Sequence, residues 1–145
     1  MSFVFDGMHG VAGLYAKALF CDELGIQSSA LLNCEPAEDF NGGHPDPNLV
    51  YASELVARMG LDVSGKPIDG VDSSDTPVLG AAADGDADRN MILGRSFFVT
   101  PSDSLALIAA HANIIPWISQ NGGLRAVARS MPTSGAVDRV VQKVS

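Results

Sequence analysis

The chain has 145 residues, 46% hydrophobic and 18% charged, with 17 acidic against 9 basic side chains and a formal charge of −8. No basic stripe is available to neutralise phosphates, which argues against a nucleic-acid or anionic-membrane partner, and no run of about 18 apolar residues could span a bilayer. A charged share below the usual figure of about 25% is low for so small a domain, so part of the surface is expected to be covered by another copy or by further chain. Cys21 and Cys34 lack the spacing of a zinc site and read as two reduced thiols. With no signal peptide before the first apolar run, a cytoplasmic protein is expected.

In chain order, residues 2–6 (SFVFD) predict a short buried strand. Residues 11–24 predict a helix with Leu14, Ala18 and Leu19 as its apolar stripe and Gly25 as its stop. A second strand is expected over 30–34 (ALLNC), followed by a Pro- and Gly-rich loop over 35–48. Asn48 is placed to cap a helix over 49–59, which Gly60 ends. Residues 61–77 have no periodicity and read as a surface insertion. A strand over 78–83 (VLGAAA) delivers the chain to an acidic loop, and 91–93 with 97–99 suggest a hairpin turning at 94–96. Pro101 and Ser102 open a helix from Asp103 to about Ile115. Residues 121–123 (NGG) predict a turn, 124–129 a strand and 135–144 an amphipathic helix. Strands alternating with helices predict an α/β fold with a mostly parallel sheet.

The acidic loop, DGDADRN over 84–90, is the most informative stretch. It follows a strand, and open α/β sheets bind ligands beyond the carboxyl ends of their strands. Residues at i, i+2 and i+4 of an extended segment point the same way, so Asp84, Asp86 and Asp88 can converge. Two like charges about 4 Å apart repel by roughly 4 kcal/mol at an effective dielectric of 20, and three carboxylates make three such pairs. A hard divalent cation would relieve that repulsion; a solvated turn with splayed carboxylates would avoid it. An EF-hand does not fit, because its sixth and twelfth positions need Gly and Glu and here hold Arg89 and Arg95. Three carboxylates beside an arginine suit Mg²⁺ sharing a phosphate oxygen better than a closed Ca²⁺ cage.

DGDADRNMILG resembles the metal-binding loop of the α-D-phosphohexomutases, whose pattern runs DGDxDR. FDGMHGVAG, NCEPAEDFNGGHPDPN, TPSDSLALIAA and RSMPTSGAVDRV extend the resemblance, in order, to the eukaryotic-type phosphoglucomutases over nearly the whole chain. The resemblance implies a fragment covering the second of four domains, over 1–100, as a mixed, mostly parallel sheet flanked by helices, and the start of the third, over 101–145, as a truncated second α/β unit. It also implies an enzyme interconverting glucose 1-phosphate and glucose 6-phosphate through a phosphoserine and a glucose 1,6-bisphosphate intermediate. By position, Asp84, Asp86 and Asp88 match the Mg²⁺ ligands, Arg89 a phosphate contact and Thr133 a sugar contact. The partners implied are a sugar phosphate and the missing domains of the same polypeptide. The family commonly has Gly where this chain has Ala87, which narrows the backbone choices there. No TASHNP-like phosphoserine segment occurs, so residues 1–145 alone are expected to be inactive. The alternative is a non-catalytic phosphoglucomutase-like scaffold. His9, His44 and His111 are expected to serve structure, as are Met91, Phe97 and Phe98.

Overall fold

A computed structural model describes residues 2–72 and 74–144. Ser73, within the expected insertion 61–77, lies outside the described residues. Five strands form one sheet: β1 (Phe3–Asp6), β2 (Leu31–Leu32), β3 (Leu79–Ala83), β4 (Asn90–Gly94) and β5 (Phe97–Val99), in the spatial order β2-β1-β3-β4-β5. β1 runs parallel to β2 and β3, whereas β3–β4 and β4–β5 are antiparallel. The sheet is therefore mixed, with its pairings evenly divided where the sequence suggested mostly parallel ones. The reason is the length of the acidic loop: a few residues can reverse a chain, while a parallel crossover needs a dozen or more.

Alternation along β1 sends Val4 to one face and Phe5 to the other, and each face acquires its own core. On Val4's side, α2 (Ser53–Arg58) packs Leu55 and Val56 with Met59, Leu61, Met91 and Leu93, all at most 1% exposed. Leu61 thus completes a core, although its segment reads as a surface insertion in the sequence. Asn48 does cap the chain entering α2, since its Oδ1 accepts the Val50 and Tyr51 amides at 2.9 Å each. The regular helix nevertheless starts later than expected, at Ser53.

On the other face lies α1 (Ala12–Ala16), which widens into a π-helix over Lys17–Glu23. The expected stripe is not the buried one. Leu14 and Leu19 are 60% and 54% exposed, while Ala12, Gly13 and Ala16 face the sheet. Close approach explains the reversal: a β-carbon on Gly13 would all but overlap the Cys34 carbonyl oxygen, so only glycine fits there, with alanines beside it on the same face. The wider turn that follows brings the Phe20 ring against Phe3 and Phe5, with centroids at 4.8 and 5.3 Å.

Thr100–Ser145 forms a compact unit of its own, distinct from Met1–Val99. Its described elements are all helical: a 3₁₀ turn at Pro101–Asp103, then α3 (Ser104–Ala110), α4 (Pro116–Gln120) and α5 (Ala136–Val144). The single helix expected to reach Ile115 stops at Ala110 and gives way to a 3₁₀ turn at Ala112–Ile114; Pro116 then holds Ile115 in extended backbone (ψ 114°) and starts α4 itself. The strand expected over 124–129 is irregular, with no strand beside it to complete a ladder among the described residues. Val137, Val140 and Val141 of α5 pack on Ala106 and Ala109 of α3.

Candidate metal centre

The register aligns Asp6 with Leu32 and Ala82, so β1, β2 and β3 end together and release their loops on one edge. Asp6, itself buried, ties the first two loops by accepting the Met8 amide at 2.9 Å and the Asn33 side-chain amide at 3.1 Å. Burial pushes its carboxyl up, and these hydrogen bonds only partly offset that.

The third loop is the acidic one. Asp84, Asp86 and Asp88 each present a carboxylate oxygen, and these three oxygens lie within 4.8 Å of one another. Their environments differ. Asp84 is 1% exposed, whereas Asp86 and Asp88 stand in solvent. Asp84 stays buried because Arg89 satisfies both of its oxygens, with the backbone amide at 3.0 Å on Oδ1 and Nε at 2.8 Å on Oδ2. Burial alone would push this carboxyl up; the Arg89 hydrogen bonds outweigh burial and hold it below the ordinary carboxylate range. Asp88 moves the opposite way, raised first by the negative charge of Asp86 and then by its contact with Asp84. Of these two carboxylates, Asp88 is the one on which a proton settles more readily.

Arg89 also reaches Asp46 through Nη1 at 3.2 Å, and its Nε lies 3.5 Å from Asp88. One guanidinium therefore faces three carboxylates, with Asp86 beside them, an excess of negative charge that an added cation would relieve. The Arg89 side chain is 63% exposed, so its fork stays accessible to an anionic group from solvent. The sequence does not single out Asp46, where the NGGHPDPN setting signals only a turn; its partner lies 43 residues away.

The donor set fits a hard divalent ion. Three carboxylate oxygens gathered within 4.8 Å on one loop are the hard oxygen donors that Mg²⁺ would take. Ala87 allows the curve by adopting φ 64°, the left-handed region that a β-carbon disfavours.

Thr133 belongs to the second compact unit. Its hydroxyl shares a 3.0 Å hydrogen bond with Ser130, and its carbonyl accepts from Arg129 at 3.3 Å. Arg129 in turn grips Asp138 of α5 through two bonds of 2.8 and 2.7 Å. Ser134, one residue on, accepts the Ala136 amide at 3.1 Å and caps α5. Among the histidines, His9 donates from Nδ1 to the Glu35 carbonyl at 3.0 Å, and His44 stacks on Tyr51 with centroids 4.1 Å apart.

The family model of phosphoglucomutase/phosphomannomutase, alpha/beta/alpha domain II, matches residues 1–96, most of the chain. The chain belongs to this family. It is 63% identical to the cytoplasmic phosphoglucomutase of Bromus inermis, with 99% of this chain and 23% of that relative covered. To the cytoplasmic phosphoglucomutase of Populus tremula it is 60% identical, covering 99% of this chain and 24% of the relative. The chain thus spans about a quarter of the length of these curated relatives. Among solved structures it matches the open form of the exocytosis-sensitive phosphoprotein pp63/parafusin (phosphoglucomutase) from Paramecium. That match has 59% identity and a TM-score of 0.85, covering 99% of this chain and 23% of the other. A putative phosphomannomutase from Thermus thermophilus, at 21% identity and TM-score 0.70 over 99% of this chain and 29% of its own, shares the fold.

Proposed function

We propose that residues 1–145 are the metal-loop portion of a cytoplasmic phosphoglucomutase that interconverts glucose 1-phosphate and glucose 6-phosphate. The parent would work through a phosphoserine and glucose 1,6-bisphosphate, with Mg²⁺ as its metal. The observation that carries this reading is the meeting of three carboxylate oxygens within 4.8 Å on a loop at the carboxyl edge of the sheet. Asp84, Asp86 and Asp88 would hold the ion. When bound, Mg²⁺ supplies Lewis-acid stabilisation of the charge that develops during phosphoryl transfer. Arg89 would offer its accessible fork to a phosphate oxygen, while Asp84 and Asp46 fix its orientation. Thr133 is assigned to the sugar on the strength of RSMPTSG alone, with Ser130 and Arg129 fixing its turn. The other domains of the polypeptide would supply the phosphoserine and the remaining sugar and phosphate contacts. A scaffold without activity is not favoured, because it has no physical need to gather carboxylates whose mutual repulsion costs energy.

The test is titration of the chain with Mn²⁺ in place of Mg²⁺. A single weak site that disappears in Asp86→Asn is expected; an unchanged isotherm in that variant would place the metal elsewhere.

A further inference from the structure

Seven non-glycine residues among those described have positive φ, and six of them cluster. Met8, His9, Asn33, Phe40, Asn41 and Ala87 all lie in the loops that leave the carboxyl ends of β1, β2 and β3; only Ser96, in the hairpin turn, lies elsewhere. Within that group Phe40, Asn41 and Gly42 follow one another at φ 51°, 54° and 72°, one left-handed turn. A bulky side chain avoids this region because its β-carbon crowds the carbonyl, and it stays there only where its surroundings fix it.

The surroundings do so here. Phe40 donates its amide to the Ala37 carbonyl at 3.0 Å, and Gly43 donates to the Phe40 carbonyl at 2.9 Å. Asp39 accepts the Asn41 amide on its side chain at 2.9 Å. The segment is moored to the first loop at His9, whose carbonyl accepts the Ala37 amide at 3.0 Å and whose Nδ1 donates to the Glu35 carbonyl at 3.0 Å.

The consequence is the place of one ring. A β-carbon on Gly85 would sit 2.8 Å from Phe40 Cε1 and 3.0 Å from Cζ, so ring and backbone are in contact. Gly85 is the residue between Asp84 and Asp86. Its amide donates to the Pro45 carbonyl at 3.2 Å, and its own carbonyl accepts the Val11 amide at 3.1 Å.

We propose that the left-handed turn 40–42 is a positioning element for the acidic loop, with Phe40 as its contact residue. By closing on Gly85, the ring keeps the peptide between two carboxylates in hydrogen-bonding register with both neighbouring loops. Without it, residues 84–88 can open while β3 stays intact. The clamp itself stands without any metal; its effect on metal affinity rests on the function proposed above.

The experiment is amide hydrogen exchange on the metal-free chain, followed by Mn²⁺ titration of the same samples. In Phe40→Ala the Gly85 amide should exchange about tenfold faster while the β3 amides keep their protection. Phe40→Tyr, which retains the ring, should match the unmodified chain. Asn41→Gly should keep the turn, and Asn41→Val, whose branched β-carbon resists positive φ, should lose it. Wild-type protection at Gly85 in Phe40→Ala would overturn the clamp. In the metal arm, Phe40→Ala should weaken Mn²⁺ binding about tenfold and Phe40→Tyr should not. Equal affinity in Phe40→Ala would overturn the positioning role. An unmodified chain that takes no Mn²⁺ would instead overturn the metal reading and leave the exchange comparison to decide the clamp.

Discussion

Residues 1–99 and residues 100–145 bury very different side chains. The first unit encloses Leu55, Met59, Leu61, Met91 and Leu93 almost completely, around a sheet with helices on both faces. The second centres on Ala106, Ala109 and Val137. Its large apolar residues stand outside: Ile114 is 76% exposed, Trp117 73% and Met131 91%. Burial of a Leu-sized side chain stabilises a fold by about 1.5–3 kcal/mol, so the first unit has most of the cohesive energy. What differs is less the supply of apolar residues than the presence of a sheet to gather them.

The largest test of this contrast is Leu55→Ala. Removing that side chain from a filled core should cost about 2–5 kcal/mol. Hydrogen exchange should quicken across β1, β3 and α2, while α3 and α5 keep their protection; equal acceleration in both units would mean that they unfold as one. Trp117, the only tryptophan, reports on the second unit alone and should keep its emission in this variant.

A smaller effect, of opposite sign, is expected at Ala87. Its φ of 64° suits glycine, so Ala87→Gly should raise the stability of the first unit by about 1 kcal/mol in chemical denaturation. No gain, or a loss, would show that the surrounding hydrogen bonds already offset the strain.

The smallest expected effect is a pH dependence confined to the second unit. The Asp138 carboxyl is held below its ordinary value, chiefly by its hydrogen bond with Arg129. Its contribution is therefore complete above about pH 4 and is lost as the pH falls through the depressed value. Asp138→Asn should flatten that acid limb, followed by Trp117 fluorescence, and leave neutral-pH behaviour nearly unchanged. An identical acid limb in the variant would show that the pair contributes nothing measurable, as exposed pairs often do.

By itself the sequence determined what local pattern and chain order can carry. SFVFD and VLGAAA announced β1 and β3, Gly94 to Ser96 announced the hairpin, and Asn48 announced its cap, because short-range hydrogen bonding and turn chemistry dictate each of these. DGDADR announced a carboxylate cluster, and its flanking blocks announced the family. The tertiary structure alone decided which residues of α1 face the sheet, since the close approach of Cys34 to Gly13 overrides the periodicity of Leu14 and Leu19. It alone left 124–129 without strand partners among the described residues. It also made the three aspartates unequal, burying Asp84 under Arg89 while Asp86 and Asp88 stay in water. Asp46 and Phe40 reach that loop across more than forty residues, through a carboxylate on the Arg89 guanidinium and a ring whose placement no spacing encodes. Such contacts form only once the sheet has aligned the ends of β1, β2 and β3, and so the supports of the candidate site were legible only in the fold.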